Sequence, residues 1–591
     1  MTLPEDRGVS PGPETIALIG LGDGPAVDGV EVLRAAGPLT AADLVSVSAD
    51  HLLLCPGGVS LLPEALPAVR EMLLHAPEIE LAYFDSFTDA ADRQTGAPAG
   101  WAGWRSTPPS SSPPANVVRS RGVPWRSMGA PAGRAGDGDR AEAHHRPGFS
   151  PDRLRVQMYL GEVLLVRRSI LAAQLAGGDG FDLPPTLSQV NALAARCRTI
   201  AHLPRLLYRV GRDTGRAVGG GPVELVDAEP HDVRLAAERF PGRAAPRGAD
   251  GRTIDLRPDI GQAPLVSIVI PTVGADRVVD GRSTTLCLRA VDRVVARTTY
   301  RPYELVVVLT PGAPADLPNR ILGAVEANDP DRRPAVRFCR DERDFNFSNA
   351  CNRGATLASG SVLVFLNDDT AVRSADWLER LVMYATRPDI GAVGARLLYG
   401  DGTVQHAGIW ARGGHPAHRY EGFPADHRGH LDSLTVAQNC LAVTGACLAV
   451  EAAKFREAGG FCPDFPSSYN DVDLCLKLDD LGYRTVVDPG TVLTHYEASS
   501  RDPVIEDWEL ALLHRRWRRL LIDDPYDNPN HLAPQAEEFP PPDPVIALYR
   551  QRAADAGALG GHPPRLWHRP RPGAAGDGTP ADPTEVAHHV A

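Results

Sequence analysis

The sequence predicts an α/β fold built on a mainly parallel sheet, and three observations carry that reading. Short, uninterrupted apolar runs recur along the chain, stretches with helical spacing lie between them, and the composition can bury an ordinary core, with 43% hydrophobic and 23% charged residues. Runs without polar alternation mark strands buried on both faces, as in sheets covered by helices. The 591 residues leave room for two to four domains at about 150 residues each.

The clearest elements lie in the second half. Residues 266–270 (VSIVI) are a strand ending at Pro271. A helix is expected from about Ser283, with Leu286, Ala290, Val291, Val294 and Val295 at helical spacing. Residues 305–309, 336–339 and 362–366 give three more strands, with a helix over 346–358 before the last. In such sheets ligands bind outside the carboxyl ends of the strands.

Composition excludes several classes. The net charge of −13 argues against a general nucleic-acid binder, which depends on clustered Lys and Arg. The basic residues are almost all Arg, and Lys454 and Lys477 are the only lysines. Nine cysteines without a CxxC pair fit neither a disulfide scaffold nor a zinc ribbon. No stretch reaches the ~20 apolar residues of a membrane span, and acids stand where an export signal needs basic residues. The expected setting is the cytoplasm, with a peripheral contact at the inner face of the membrane.

The expected organisation is a first domain over 1–210, a linker with a helix over 211–263, a catalytic domain over 264–535 and a disordered tail over 536–591. A disordered insertion is expected at about 100–147, where Pro, Ser, Gly and Ala dominate. The run Trp508 to Ile522, with Arg515, Arg516, Arg518 and Arg519, reads as a helix that packs the catalytic domain or touches an anionic membrane.

Three polar features stand where chemistry is expected. The strand 362–366 runs into Asn367-Asp368-Asp369-Thr370. Adjacent carboxylates repel unless a cation or donors lie near, and Mg²⁺ or Mn²⁺ accepts one or two carboxylates plus phosphate oxygens. A solvated turn with Asp as a helix cap accounts for the same residues. About a hundred residues on, Asp471 lies on the stripe of Leu474, Leu478 and Leu481 at a helix start, while Asp473 points the other way. Asp471 is either a candidate general base or a helix cap with Asn470. His495 follows a strand at 485–487 and is a metal or phosphate ligand, or an ordinary surface or core histidine.

These residues resemble a known family. SIVIPT at 267–272, FNFSNACNRGA at 345–355, FLNDDT at 365–370 and DGTVQHAG at 401–408 are similar to the family 2 inverting glycosyltransferases with the GT-A fold. VTGACL at 443–448, GGF at 459–461, YNDVDLCLKL at 469–478, HYEASSR at 495–501 and DPYDNPN at 524–530 complete the set. The pattern most resembles the rhamnosyltransferase-like branch, which acts on cell-surface polysaccharides. The resemblance implies Asp369 and His495 as ligands of Mg²⁺ or Mn²⁺, with His495 also able to serve the diphosphate. It implies Asp368 toward the ribose or sugar, Asn352 on the nucleotide side, Asp471 as the base, and Thr272 and Asn367 in substrate binding. Gln405, His406 and residues 410–418 are expected to face the acceptor. The implied partners are a UDP- or dTDP-sugar donor and a glycan or lipid-linked acceptor.

Two departures from the family bear on the donor. Leu309-Thr310-Pro311-Gly312 replaces an acidic run after the second strand, and residues 273–277 replace a basic or polar loop after the first. They favour, as the alternative, a non-catalytic nucleotide-sugar or carbohydrate-binding scaffold. A sugar nucleotidyltransferase would need a Gly-rich phosphate loop with a basic residue, which 271–276 lacks. The glycines at 19–24 are a poor dinucleotide fingerprint because no helix begins there.

The first half is expected to be a degenerate copy of the same fold. Aligning Leu66 with Leu378 places Cys55, Pro56 and Gly57 opposite Asn367, Asp368 and Asp369. Residues 161–167 resemble the strand at 445–450, and 187–193 stand where tandem members of the family carry an acidic run. Residues 202–208 match the strand that follows in them. Without carboxylates this copy has no ligands for a hard cation and no base.

Overall fold

The computed structural model describes residues 15–88, 142–210, 242–258, 260–496, 507–532 and 565–568, apart from short stretches within these ranges. The insertion up to residue 141, the soft stretch 211–222 and most of the tail lie outside the described residues.

The first half contributes β1 (Ile16–Gly20), β2 (Glu31–Arg34), β3 (His51–Cys55), β4 (Val59–Leu61), β5 (Leu81–Thr88), β6 (Glu142–His144), β7 (Leu164–Arg167) and β8 (Thr199–Val210). They form one sheet in the order β2-β1-β3-β7-β5-β8, with β4 on β8 and β6 on β5. A separate antiparallel ribbon, β9 (Gly242–Arg247) with β10 (Thr253–Pro258), follows in the expected linker.

The second half begins with β11 (Val266–Thr272), the ribbon β12 (Asp276–Val279) and β13 (Arg282–Thr285), then β14 (Tyr303–Leu309), β15 (Ala335–Arg340), β16 (Val362–Leu366) and β17 (Thr370–Val372). It continues with β18 (Ile390–Leu398), β19 (Val404–His406), the hairpin β20 (Ile409–Arg412) and β21 (His415–His418), β22 (Gln438–Asn439), β23 (Cys447–Glu451) and β24 (Arg484–His495). The main sheet runs β15-β14-β11-β16-β23-β18-β24-β17, with β19 on β18 and β22 on β24. β15, β14, β11 and β16 are parallel, while β23 and β17 pair antiparallel to their neighbours.

The apolar runs have the expected physical origin. Along β11, Val266, Ile268 and Ile270 enter one core and Val269 the other, so both faces of the strand are buried. The helix Phe347–Leu357, capped by the Asn346 side chain, lies hard against this strand. A Cβ at Gly354 would stand 2.3 Å from Val269 Cγ1, so the close approach requires glycine there. The helix after β11 spans Leu286–Arg297 and starts later than its apolar spacing suggested. Ser283 is instead paired with Val278 in the β12–β13 ribbon, which turns near Gly281 at φ +75°.

The two sheets share one topology. β1, β3, β7, β5 and β8 pair in the same order and sense as β11, β16, β23, β18 and β24. β4 lies antiparallel on β8, as β17 does on β24, with Val59 opposite Val210 and Thr370 opposite His495. The register corrects the sequence alignment by one residue. Since β3 ends at Cys55 and β16 at Leu366, Pro56, Gly57 and Gly58 stand opposite Asn367, Asp368 and Asp369. The helix Leu187–Arg196 has no acid in its first turn, whereas Asn470–Asp480 has Asp471 and Asp473 there.

The expected tail contributes a strand. β25 (Arg565–His568) pairs antiparallel with β8, where Ala201 and His202 receive Leu566 and Arg565. Equivalent positions on β24, Val486 and Val487, receive Asn439 and Gln438 of β22. The expected insertion also ends early, because Arg146 is buried and bonded to Phe84 O and Ser86.

The halves are tightly joined. Asp152 is 2% exposed and accepts from Arg387 at 2.6 Å, Asn439 Nδ2 at 2.8 Å and Arg484 at 3.3 Å. Asn528 donates to Asp85 and to Arg146 O, and a Cβ at Gly148 would meet Pro525 O at 1.9 Å. The helix Asp507–Ile522 buries Leu513 and Leu521 in the second half's core, so it packs that half. Among the described residues no helix is long and apolar enough to cross a membrane.

Candidate active site

The acidic turn forms because β16 ends at Leu366 and the chain reverses at once into β17. Asn367 N donates to Ala446 O at 3.1 Å and Tyr496 N to Asp369 O at 3.0 Å, which pins the turn between β23 and β24. Asp368 and Asp369 are 8% and 6% exposed. Thr272 Oγ1 donates to Asp368 Oδ2 at 2.5 Å and accepts from Gly274 N at 2.9 Å. Burial, reinforced by the charge of Asp369, pushes the Asp368 carboxyl up to about 7. Burial alone would raise Asp369 as well, but His495 outweighs it and holds Asp369 below the ordinary carboxylate range.

His495 is fixed from both sides. Its Nδ1 lies 2.7 Å from Gln405 Oε1, an acceptor, so Nδ1 carries the proton. Its Nε2 faces Asn367 Nδ2 at 3.3 Å and Asp369 Oδ1 at 3.0 Å; protonated it pairs with Asp369, and in the neutral ring it offers a lone pair. Asp369 Oδ1 and Asn367 Oδ1 are buried without a hydrogen-bond partner. With the His495 ring neutral, its Nε2 and the Asp369 carboxylate could both turn to a hard divalent cation. Among the described residues no group of three or more His, Cys, Asp or Glu could hold a metal ion. Asp369 and His495 could supply at most two protein ligands to a cation, whose shell would need oxygens from elsewhere.

Asp471 is half-buried in the first turn of the helix Asn470–Asp480. Its Oδ2 accepts from Gly445 N at 2.7 Å and its Oδ1 from Val472 N at 2.8 Å. Gly445 precedes the Ala446 that holds Asn367, so one loop links Asp471 to the acidic turn. The apolar stripe differs from the one expected. Asp473, not Asp471, is fully buried beside Leu474 and Leu478, while Leu481 is 40% exposed. Trp517 Nε1 donates to Asp473 at 2.8 Å, and Arg516 and Lys477 reach the same carboxylate.

The remaining expected residues lie deeper. Asn352 spends its amide on Phe461, donating to its O at 2.8 Å and accepting from its N at 2.9 Å. Gln405 is 2% exposed behind His495. His406 is fully buried, and its Nε2 accepts from Gly408 N at 3.2 Å and Thr444 N at 3.4 Å. Burial, aided by His418 and His495, pushes His406 well below the usual histidine range, so it stays neutral. The hairpin β20–β21 is anchored by Asp524, which accepts from Ala411 N at 2.9 Å.

Sequence reasoning missed two supports. Glu509 is fully buried and accepts from Ser467 N and Ser468 N at 3.1 and 3.0 Å, fixing the loop before Asp471. Nothing in the spacing links these residues. Asp341, 9% exposed, closes β15 beside the carboxyl end of β14, and its N donates to Leu309 O at 2.9 Å. A lone acid at a strand's carboxyl end was the available signal for it.

Comparison with known proteins finds likeness over part of the chain. Residues 267–434 match the family described as Glycosyl transferase family 2. The chain is 32% identical over 423 residues to the uncharacterized protein y4gI of Sinorhizobium fredii, covering 68% of this chain and 44% of that one. It is 32% identical over 411 residues to the O-antigen biosynthesis protein RfbC of Myxococcus xanthus, covering 66% of this chain and 30% of that one. The chain thus spans less than half the length of either relative. Among solved structures, the mannosyltransferase PcManGT of Pyrobaculum calidifontis, in complex with GDP-Man and Mn²⁺, aligns at 19% identity and a TM-score of 0.31. That alignment covers 52% of this chain and 79% of that one. Residues 267–434, which include the acidic turn at the end of β16, are thus similar to glycosyltransferase family 2, and the mixed, partly parallel sheet agrees with its GT-A fold.

Proposed function

We propose that the protein is a metal-dependent, inverting glycosyltransferase that moves a sugar from a nucleotide-diphosphate donor to a hydroxyl of a cell-surface glycan or its lipid-linked precursor. One observation carries the reading: His495 Nε2 stands 3.0 Å from Asp369 Oδ1, with His495 Nδ1 held by Gln405. A Mg²⁺ or Mn²⁺ ion there would neutralise charge developing on the leaving diphosphate. Asp369 and His495 would hold that ion. Asp368, steadied by Thr272, faces the ribose or the sugar.

Asp471 takes the acceptor proton as the hydroxyl attacks the anomeric carbon, and its bonds to Gly445 N and Val472 N fix its orientation. The donor is a UDP- or dTDP-sugar, and the rhamnosyltransferase-like pattern of motifs supports a role in polysaccharide biosynthesis. The relative named for O-antigen biosynthesis points the same way.

The test is calorimetric titration of nucleoside diphosphates with and without Mn²⁺, on the wild type and on Asp369→Ala. Binding that depends on Mn²⁺ in the wild type and is lost in the variant is the expected result. Undiminished Mn²⁺-dependent binding by Asp369→Ala would overturn the assignment. Net inversion is read separately, by NMR of the product's anomeric configuration.

A further inference from the structure

The helix Leu286–Arg297 buries Leu286, Cys287, Ala290, Val291, Val294 and Val295 against the sheet. The same periodicity sends Arg289, Arg293 and Arg297 to a neighbouring face, one turn apart. That face forms one wall of a groove of about 380 Å³, whose other wall is Arg373 on the turn after β17 with Thr494 and Tyr496. Arg289 lies over the Tyr496 ring at 4.6 Å and donates to its hydroxyl, and Arg373 Nε donates to Thr494 Oγ1 at 2.5 Å.

Four guanidinium groups in one groove are unexpected in a chain of net charge −13. The helix has a single acid, Asp292, which accepts from Asn328 Nδ2 at 2.8 Å. Among the described residues no carboxylate lies within ion-pair distance of Arg293, Arg297 or Arg373. An arginine stripe that served only solubility would be interleaved with acids. Arg293, Arg297 and Arg373, converging with no acid paired to them among the described residues, match the multiply charged oxygens of phosphate.

We infer that this groove binds a phosphate ester other than the sugar donor's diphosphate. Its place on the strand separates it from the metal pair. Side chains alternate along β24, so Thr494 emerges on the opposite side from His495. A diphosphate at Asp369 and His495 therefore leaves Arg293, Arg297 and Arg373 to a second phosphate. The inference does not depend on the proposed transfer reaction, only on the geometry of the groove.

The phosphate can be a lipid headgroup or a free phosphate compound, and one experiment separates them. The full chain is sedimented with vesicles of phosphatidylcholine alone and of phosphatidylcholine mixed with phosphatidylglycerol, and inorganic phosphate is titrated by calorimetry. The variants are Arg293→Ser with Arg297→Ser, and the charge-preserving Arg293→Lys with Arg297→Lys.

For a headgroup site, anionic vesicles bind the wild type and the serine variant loses about 5-fold for each arginine removed, while the lysine variant keeps most of the binding. For a free-phosphate site, the wild type binds inorganic phosphate, the serine variant does not, and neither sediments with vesicles. Equal binding of both probes by wild type and serine variant overturns the inference, as does binding of neither probe by the wild type. Loss of Mn²⁺-dependent nucleoside diphosphate binding in the serine variant, with an unchanged melting temperature, also overturns it by assigning the groove to the donor.

Discussion

The first and second halves of this chain are the same sheet with different ends. β3 and β16 leave the sheet at equivalent points, but one runs into Pro56-Gly57-Gly58 and the other into Asn367-Asp368-Asp369. The residue facing the turn across the edge pair is Val210 in the first half and His495 in the second. The backbone has diverged too, because Gly58 sits at φ +80° whereas Asp369 is not among the positive-φ residues. The rim turns differ, while β1, β3, β7, β5 and β8 retain the order and sense of their counterparts. A sheet's interior is held by packing, and its carboxyl rim is where chemistry can be gained or lost without unfolding it.

The largest expected effect tests whether the first half is silent. Titration of the wild type with Mn²⁺ and a nucleoside diphosphate should give one site per chain, and Asp369→Ala should leave none. A second site, or one surviving in the variant, would mean that the first half still binds donor.

Next comes the bond between the halves. Asp152→Ala leaves Arg387 and Arg484 without a buried carboxylate and should cost about 3–5 kcal/mol in chemical denaturation. Its guanidinium partners overcome the burial penalty and hold the Asp152 carboxyl far below its usual range. A depressed carboxylate stabilises the fold above its unfolded value of about 3.9, and the contribution fades as pH falls below that toward the folded value. The wild type should therefore lose stability in acid more steeply than Asp152→Ala. Parallel acid profiles would show that the cluster contributes little.

A third measurement addresses the rim of the second half alone. Asp471→Asn should keep Mn²⁺-dependent donor binding and slow transfer by at least about 10²-fold. Turnover near the wild-type rate would place the base elsewhere. The smallest effect concerns the first half's own turn. Gly58→Asp restores the acid but not the backbone that carries it, and should destabilise by roughly 1–2 kcal/mol at its positive φ. It should not create a Mn²⁺ site, since Val210 offers no ligand; a new site would show that side chains alone separate the halves.

Much of the fold was legible because its strands are buried on both faces, so runs such as VSIVI and VLVFL read as strands without ambiguity. The polar rim was legible as motifs, and the structure brings Asn367, Asp369 and His495 together. The support behind His495 was not, because Gln405 reaches it from a strand ninety residues away in the chain. The stripe on Asn470–Asp480 misled because Trp517 and Arg516 cover Asp473 from another helix, which periodicity cannot show. The one-residue slip at Cys55 arose from its apolar character, which let it pass for a turn position while it closes β3.

The placement of β25 has a consequence for how the chain comes to be folded. In the second half the strand beside β24 is supplied internally by Gln438–Asn439. In the first half the stretch before β7 is spent elsewhere, with Ser150 and Asp152 clasping Asn439 of the other half, and the open edge of β8 is covered by residues 565–568. During synthesis that edge therefore waits, unpaired, until the whole second half has left the ribosome. Exposed edges recruit other strands, so a nascent or truncated chain lacking β25 presents an adhesive margin that the finished one conceals.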